Sequence, residues 1–262
     1  MPSNARPSTD PSDKRGMDQP GERARVIAVL GAESTGKTTL CEALALRLAT
    51  QPGWSRDDVG LVGETLRSFC DREGRTPRAD EQAAIALEHS RRIEAAARRH
   101  RVVIADTSAV MTAVYSLFVF GDRSLHLTAL DAHRHGVDAT LVTALDLLWV
   151  PDGHQRDGPH VREPVDRLLR AALREGEIEY AIVAGTDEAR TAAAWRALAP
   201  HRRAWGWEEA DTQALAPAAT AEAPGSGSFG LGPRWRAMCD CCADPAAEAT
   251  DFRSRRPRPP PR

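Results

Sequence analysis

The chain has 262 residues, a formal net charge of -2 and a hydrophobic content of 42%. This composition is typical of a protein with a globular core, and the nearly neutral charge indicates neither a nucleic-acid-binding surface nor a membrane-binding one. No apolar run approaches the roughly 20 residues that a membrane span needs. The five cysteines do not form a disulfide framework, so we expect a protein of the reducing cytoplasm.

The chain begins with a polar segment of residues 1–22, which has four prolines, no periodicity and no apolar stretch of the kind found in secretory signals. We predict that this segment is a disordered tail. A buried strand is predicted at 26–30. A helix is then predicted to begin at the lysine in position 37, and it places three leucines on one face, Leu40, Leu44 and Leu48.

The following elements alternate between strands and helices. Apolar runs predict strands at 59–62, 101–105, 139–145 and 180–184. Apolar residues at helical spacing predict helices at 80–100, 108–119, 163–174 and 187–198. This alternation is typical of parallel βαβ units with right-handed crossovers, so we predict an α/β three-layer sandwich with a roughly five-stranded parallel sheet over residues 23–206.

Residues 207–262 are rich in Ala, Pro, Gly, Ser and Arg, which predicts a largely disordered C-terminal tail. A structural zinc site needs four ligands, usually arranged as two pairs. The tail offers no second pair for its one cysteine cluster, so we favour an exposed group of thiols over a metal site. The cluster consists of Cys239, Cys241 and Cys242.

The most specific motif is GAESTGKT at 31–38, which fits the pattern G-x-x-x-x-G-K-[ST]. Small residues let successive backbone N–H groups wrap a polyanion, and the helix that follows adds its N-terminal amides and dipole. Lys37 would reach the β- and γ-phosphates, and Thr38 would bind Mg²⁺. The motif therefore predicts a P-loop NTPase fold that binds ATP, or GTP, with Mg²⁺. The predicted nucleotide-binding residues are Gly31, Ala32, Glu33, Ser34, Thr35, Gly36, Lys37, Thr38 and Thr39.

Three acidic residues follow predicted strands, at the edge where parallel α/β sheets bind their ligands. Asp106 would contribute to the Mg²⁺ site or act as the general base, or it would only cap the helix that begins near Ser108. Glu64 is the alternative base. With Arg67, one helical turn further on, it would bind the substrate or form a surface ion pair. We interpret Asp146 as structural.

The segment 149–162 is rich in Gly, Pro, Asp and Arg, which predicts a loop. If this loop closes over ATP, Arg156 and Arg162 would stabilise charge in the transition state and help to exclude water. A solvated charged loop is the alternative. Trp149 would stack on a flat ring of the substrate or pack as a buried aromatic side chain.

The region 26–198 resembles the ribosylnicotinamide kinase domain of NadR-type proteins and the related AAA-like P-loop ATPases. Only the P-loop is specific by itself, but shorter matches follow it in the same order. They are Glu64 with Arg67, ALEH at 86–89, VIADT at 103–107, WVPDG at 149–153 and AGTDEAR at 184–190. The resemblance implies phosphorylation of the 5′-hydroxyl of a nicotinamide riboside by ATP, with Glu64 and Asp106 facing that hydroxyl. The H-x-G-H motif of the adenylyltransferase domain in bifunctional relatives is not found in this sequence.

We therefore predict an enzyme that transfers the γ-phosphate of MgATP to a small hydroxylated metabolite. Lys37 and Thr38 would position the phosphates and the metal, and Asp106 or Glu64 would accept the proton of the hydroxyl. The alternative is a regulatory ATPase switch that acts on a protein partner. A kinase needs a closed acceptor pocket beside the γ-phosphate, whereas a switch would expose an apolar patch there. The sequence indicates no particular oligomeric state.

Overall fold

The computed structural model describes residues 23–150 and 158–207, and the structural statements below refer to these residues. Five strands form one sheet in the order β2-β3-β1-β4-β5, and every pairing is parallel. Because β3 lies directly beside β1, the two strands end next to each other, with Val29 in register with Asp106. The strands are β1 (Arg25–Leu30), β2 (Val59–Val62), β3 (Val102–Asp106), β4 (Ala139–Thr143) and β5 (Ala181–Val183).

Within residues 23–150 and 158–207, eight α-helices connect and cover these strands, together with short 3₁₀ turns at 56–58, 79–81 and 159–161. The predicted α/β three-layer architecture with a five-stranded parallel sheet is thus confirmed. The helices are α1 (Lys37–Ala49), α2 (Thr65–Glu73), α3 (Gln82–Ala97), α4 (Ala109–Phe120), α5 (His126–Gly136), α6 (Arg162–Glu175), α7 (Asp187–Ala197) and α8 (Ala199–Ala204).

Alternate side chains of the central strand β1 point into two separate cores, because successive strand residues face opposite sides of a sheet. Ile27 and Val29 pack on one face against α1 and α7. Ala28 and Leu30 pack on the other face against α4 and α6. Val26 lies on this second face, where it packs against α3. Burial on both faces explains why β1 is a continuous apolar run.

Helices α2, α5 and α8 were not predicted, and their burial explains why. Helix α2 buries only Thr65 and Cys70, and half of the buried positions in α5 are histidines, so neither shows an apolar stripe. Helix α8 has six residues and begins with a proline in its first turn. Strand β4 is shorter than predicted and ends at Thr143.

The last described residues pack against the domain through aromatic rings. Trp207 meets Trp54 edge to face, with ring centroids 4.8 Å apart, and its centroid is 4.7 Å from that of Trp205. The predicted division into a domain of residues 23–206 and two disordered tails remains a prediction. Residues 1–22 and 208–262, including the three clustered cysteines, lie outside the described residues.

A chain of residues 23–207 should keep the melting temperature of the full chain, because the described core lies within that range. A chain of residues 23–206 should melt about 5 °C lower, because it loses the aromatic contacts of Trp207. Thermal unfolding followed by circular dichroism measures both. Equal melting temperatures for the two shortened chains would contradict a stabilising role of Trp207. A large loss in the longer chain would show that the tails contribute to the fold.

Buried His133 joins α5 to the residues that follow β3. Only 3% of it is exposed, its Nδ1 lies 2.9 Å from Ser108 Oγ, and its Nε2 lies 2.8 Å from Thr140 Oγ1. A neutral imidazole has one donor and one acceptor, and a hydroxyl can take either role, so the neutral ring satisfies both contacts. Burial lowers the pKa of His133 to about 4. Ser108 also caps α4, because its Oγ accepts a hydrogen bond from the Val110 amide.

This burial predicts a loss of stability in mild acid. The folded protein keeps His133 neutral down to about pH 4, whereas the unfolded chain protonates it below its ordinary pKa of 6.5. The contribution is therefore fully present above pH 6.5 and is lost as the pH falls towards 4, by roughly 3 kcal/mol in total. Chemical denaturation between pH 7 and 4 measures this contribution. The free energy of unfolding should fall more steeply with decreasing pH for the wild type than for His133→Gln.

His135→Gln is the matched control, because His135 lies on the same helix with an exposed side chain. Its decline in stability with pH should equal that of the wild type. An identical decline in the His133→Gln protein would contradict the prediction.

Candidate nucleotide-binding site

The P-loop begins where β1 leaves the sheet at Gly31. A Cβ atom at this position would overlap Thr143 Oγ1 of the neighbouring strand β4, and the backbone φ of +150° is one that residues with side chains rarely adopt. Thr143 Oγ1 also lies 2.7 Å from Thr35 Oγ1, and Thr35 Oγ1 donates to the Ala32 carbonyl at 2.7 Å. The loop is thus held against β4 on its inner side.

The backbone of the loop leaves amide groups available for an anion. Ser34 and Gly36 have positive φ values of 54° and 73°, as expected where successive N–H groups curve around a ligand. Helix α1 begins at Lys37 without a side-chain cap, so its first-turn N–H groups remain available. Lys37 Nζ donates to the Ala32 carbonyl at 2.9 Å and so lies across the loop. This arrangement suits a polyphosphate.

The end of β3 places an acid directly beside the P-loop helix. Thr38 Oγ1 donates to Asp106 Oδ2 at 2.5 Å. Asp106 is only 2% exposed, and its Oδ1 has no hydrogen-bond partner within the described part of the chain. The alternative that Asp106 serves as the cap of α4 is wrong, because Ser108 fills that position.

Oxygen atoms are the ligands that Mg²⁺ prefers, and this cation usually combines one or two protein groups with phosphate and water. Thr38 and Asp106 supply such oxygens at the mouth of the loop. In residues 23–150 and 158–207 no group of three or more His, Cys, Asp or Glu side chains could hold a metal alone. The residues present therefore fit an Mg²⁺ ion that arrives with the nucleotide.

Backbone strain marks the residue after Asp106. Thr107 has a φ of 75°, a value that is unusual for a β-branched side chain and that is typically found at functional positions. Its amide donates to the Val29 carbonyl at 3.1 Å, which ties the segment to β1. The strained residue thus lies between the acid and the capped start of α4.

A second buried histidine links the ends of β2 and β3. His89 is 2% exposed, and its Nδ1 lies 2.8 Å from Thr65 Oγ1, at the start of α2. Burial lowers the pKa of His89, while the Thr107 backbone and the charge of Asp106 act in the opposite direction. His89 therefore lies close to the segment after β3 while it contacts the residue that follows Glu64.

Glu64 and Arg67 lie at the same edge of the sheet. Glu64 is the residue before α2 and is half-buried, and Arg67, also half-buried, lies in the first turn of that helix. Strand β2 pairs with β3 up to Val62, so Glu64 follows the strand that neighbours the Asp106 strand. The structure thus brings the two predicted acids to adjacent strand ends.

The segment after β4 lies against the P-loop. The Val150 amide donates to Ser34 Oγ at 2.9 Å. Arg162 is the first residue of α6 and not part of a solvated loop, because it is 8% exposed and donates from Nη1 to the Leu147 carbonyl at 2.8 Å. Its Nε and Nη2 have no hydrogen-bond partner among the described residues. Trp149 is half-buried in the connection. Arg156 lies outside the described residues.

Sequence reasoning missed Arg190, which is 4% exposed and donates from Nη2 to the Thr35 carbonyl of the P-loop at 2.8 Å. Asp146, interpreted as structural, accepts from Arg190 Nη1 at 2.8 Å and from the Gly185 amide at 2.6 Å. The only sequence signal for these contacts was the AGTDEAR run. Its spacing gave no indication that the arginine would point towards the P-loop.

None of the helices in residues 23–150 and 158–207 has both the length and the apolar character that crossing a membrane requires.

Comparison with known proteins agrees with these motifs. A family described as an AAA domain matches residues 26–190. The trifunctional NAD biosynthesis/regulator protein NadR of Salmonella typhimurium (strain LT2) is 30% identical over 171 residues, as is that of Escherichia coli (strain K12). The match covers 62% of this chain and 39% of each relative, so the chain spans about two fifths of the length of these curated proteins.

Two solved structures share the fold. A NadR protein in complex with NAD and AMP-PNP is 21% identical with a TM-score of 0.52, and the match covers 67% of this chain and 48% of that one. A NadR protein in complex with NR is 20% identical with a TM-score of 0.55, covering 73% and 54%. The family match spans more than half of the chain. The chain therefore belongs to the AAA domain family of P-loop proteins, in agreement with the resemblance that its motifs predicted.

Proposed function

We propose that this protein is an enzyme, a kinase that transfers the γ-phosphate of ATP to a hydroxyl group of a small metabolite. The environment of Asp106 is the observation that carries the proposal. This buried carboxylate uses one oxygen to bind Thr38, next to the phosphate loop, and its other oxygen has no partner among the described residues. A carboxylate in this environment can contact the metal ion through one oxygen and the acceptor hydroxyl through the other.

The P-loop residues 31–39 would bind the phosphates of ATP, with Lys37 on the β- and γ-phosphates. Thr38 and Asp106 would hold Mg²⁺, which would neutralise part of the phosphate charge when it is bound. Lys37 is at present directed to the Ala32 carbonyl. A flexible side chain can exchange that neutral acceptor for an anionic one at little cost, because charge-assisted hydrogen bonds are the stronger ones.

Asp106 is the preferred general base, and Glu64 is the alternative. Asp106 is restricted in the direction in which it can point, because it is in register with Val29 of β1 and its Oδ2 accepts a hydrogen bond from Thr38. Such restriction favours a group that must meet a hydroxyl at a fixed angle. Glu64 follows an edge strand and would instead bind a second hydroxyl of the acceptor, together with Arg67.

The unpartnered N–H groups of Arg162 support a role in stabilising charge. A buried guanidinium without partners for Nε and Nη2 is costly, and a bound triphosphate would supply anionic acceptors. Arg156 would act from the same region if it reaches the nucleotide. Trp149 would contact the flat ring of the nucleotide or of the acceptor.

The relatives suggest the class of acceptor. The curated relatives are NAD biosynthesis proteins, and one structural neighbour contains NR. A riboside such as ribosylnicotinamide is therefore the proposed acceptor, and the cytoplasm, where ATP is abundant, is the proposed location. We propose no nucleic-acid partner, because the net charge of -2 offers no electrostatic basis for one.

One observation favours the alternative function, a regulatory ATPase switch. Leu148 is 88% exposed and Val150 is 60% exposed, and both lie in the segment that contacts the P-loop. Exposed apolar residues beside a nucleotide site are what a switch would present to a protein partner. The two functions differ in one measurable respect, because only the kinase makes a phosphorylated small molecule.

Incubation with MgATP and a panel of ribosides, nucleosides and sugars tests the proposed function. We expect one phosphorylated product, detected by mass spectrometry, and we expect it to be a riboside 5′-phosphate. Lys37→Ala should abolish product formation, because it removes the ammonium group that reaches the phosphates. Lys37→Arg should also be strongly impaired, because a planar guanidinium does not replace a compact ammonium in the loop.

Hydrolysis of ATP without any phosphorylated acceptor would overturn the kinase proposal in favour of the switch. Product formation by Lys37→Ala at the wild-type rate would overturn the role of the P-loop. Thermal unfolding serves as the control, since a loop lysine contributes little to stability and both variants should melt close to the wild type.

Asp106→Asn should lower kcat by roughly 100-fold or more, the usual scale for lost acid–base assistance, with little change in KM for ATP. The amide keeps the shape of the carboxylate and can still accept a hydrogen bond from Thr38, so the change removes mainly the charge. Glu64→Gln should affect KM for the acceptor more than kcat. Steady-state kinetics with varied ATP and varied acceptor separates these effects.

Asp131→Asn is the matched control for Asp106→Asn, because Asp131 is an exposed acid on α5. Its kinetic constants should equal those of the wild type. A nearly normal kcat for Asp106→Asn, combined with a large fall for Glu64→Gln, would assign the general base to Glu64.

A further inference from the structure

Arg190 lies beneath the P-loop and joins three segments of the chain. Its Nη2 donates to the Thr35 carbonyl at 2.8 Å and to the Ala144 carbonyl at 3.4 Å. Its Nη1 donates to Asp146 Oδ1 at 2.8 Å and to the Gly185 carbonyl at 2.7 Å. One guanidinium group thus connects the P-loop with the residues after β4 and β5. Lysine could not replace it, because its single ammonium cannot span these positions.

The bond to the Thr35 carbonyl constrains the direction of the next amide. The peptide between Thr35 and Gly36 is planar and trans, so its C=O and N–H groups point in opposite directions. Because Arg190 holds the C=O on its own side, the Gly36 N–H must point away from Arg190. Gly36 has a φ of 73°, and a Cβ there would lie 2.9 Å from Leu147 Cδ1, so the neighbouring segment also restricts this peptide.

The charge of Arg190 is compensated by Asp146. Asp146 contacts both Arg190 and the Gly185 amide. Partial burial acts to raise the pKa of Asp146, but the hydrogen bonds from Arg190 and Gly185 lower it overall. The carboxylate therefore stays ionised at neutral pH and holds the buried guanidinium in place, as a buried charge requires.

We propose that Arg190 is a positioning residue of the nucleotide site, which fixes the Thr35–Gly36 peptide so that the Gly36 amide faces the bound phosphates. This inference rests on the proposed function to the extent that ATP phosphates occupy the P-loop. It predicts that loss of Arg190 weakens phosphate binding although Arg190 itself touches only protein groups in the free state. This weakening of phosphate binding should be the same with and without the acceptor.

Titration calorimetry of the full chain with MgATP tests the inference. Arg190→Met should raise the Kd for MgATP on the order of 10- to 100-fold, the scale expected for lost hydrogen bonds to a charged group. Arg190→Lys should bind MgATP more tightly than Arg190→Met, because lysine restores the positive charge but not the several N–H groups of the guanidinium. Arg196→Met is the matched control, because Arg196 is an exposed arginine on the same helix. Its Kd should stay within about twofold of the wild type.

Inorganic tripolyphosphate has the phosphates of ATP without its adenosine, so it tests phosphate binding alone. Arg190→Met should weaken tripolyphosphate binding by the same factor as MgATP binding. If only MgATP binding is weakened, Arg190 acts on the adenosine and not on the phosphates, which would overturn the inference. Wild-type affinity for both ligands, with only a lower melting temperature, would show that Arg190 is merely structural and would also overturn it.

Asp146→Asn covers the case in which Arg190→Met does not fold. Asp146 is about one-third exposed, and asparagine has the same shape as aspartate, so this variant creates no cavity and should fold. It should weaken MgATP binding in the same direction but less, and unchanged binding would contradict the inference. If the wild type binds MgATP but phosphorylates no acceptor, the proposed function fails while the Arg190 inference is still decided by these affinities. If the wild type does not bind MgATP, both fail.

Discussion

The close approach of Gly31 to Thr143 determines where the P-loop can lie. Strand pairing brings Leu30 of β1 beside Val142 of β4. The next residues, Gly31 and Thr143, therefore lie so close together that the Thr143 side chain leaves no room for a side chain at Gly31. The Thr143 hydroxyl then contacts Thr35 and fixes the far end of the same loop. This contact thus contributes to the position of the α1 N-terminus, and hence of Thr38 beside Asp106.

The site holds several polar groups in positions that are costly without a ligand. Asp106 Oδ1 and two nitrogens of Arg162 are buried without partners among the described residues. An unsatisfied buried group costs about 1–3 kcal/mol in a folded protein. That cost is removed if a ligand supplies an anion near the arginine and a hydroxyl or a metal-bound water near the acid. In the proposed function, these groups would be arranged for a ligand before it binds, and binding would remove the free-energy cost of leaving them unsatisfied.

Local signals were sufficient to predict the sheet and the P-loop. The apolar runs of β1 and β3 and the glycines at 31 and 36 each have one physical interpretation, and the structure confirms the predicted fold. Contacts between distant residues could not be read in this way. Arg190 reaches a carbonyl 155 positions away, and His89 and His133 are polar residues that the fold buries. Nothing in the sequence neighbourhood of His133 distinguishes it from a surface position, because the partners that satisfy it come from other elements. His89 differs, because its spacing of four residues from both Ile85 and Ile93 places it on the apolar stripe of the predicted helix.

The two oxygens of Asp106 differ in their surroundings, and the proposed function would give them different roles. Oδ2 is directed to Thr38, on the phosphate side. A carboxylate is planar, so once Oδ2 is fixed the direction of Oδ1 depends on the backbone that carries it. Strand pairing holds that backbone, because Asp106 is in register with Val29 of β1, and the amide of the strained residue Thr107 donates to the Val29 carbonyl. In the proposed kinase, this fixed direction would serve the acceptor hydroxyl, because Thr38 already occupies the other oxygen of Asp106.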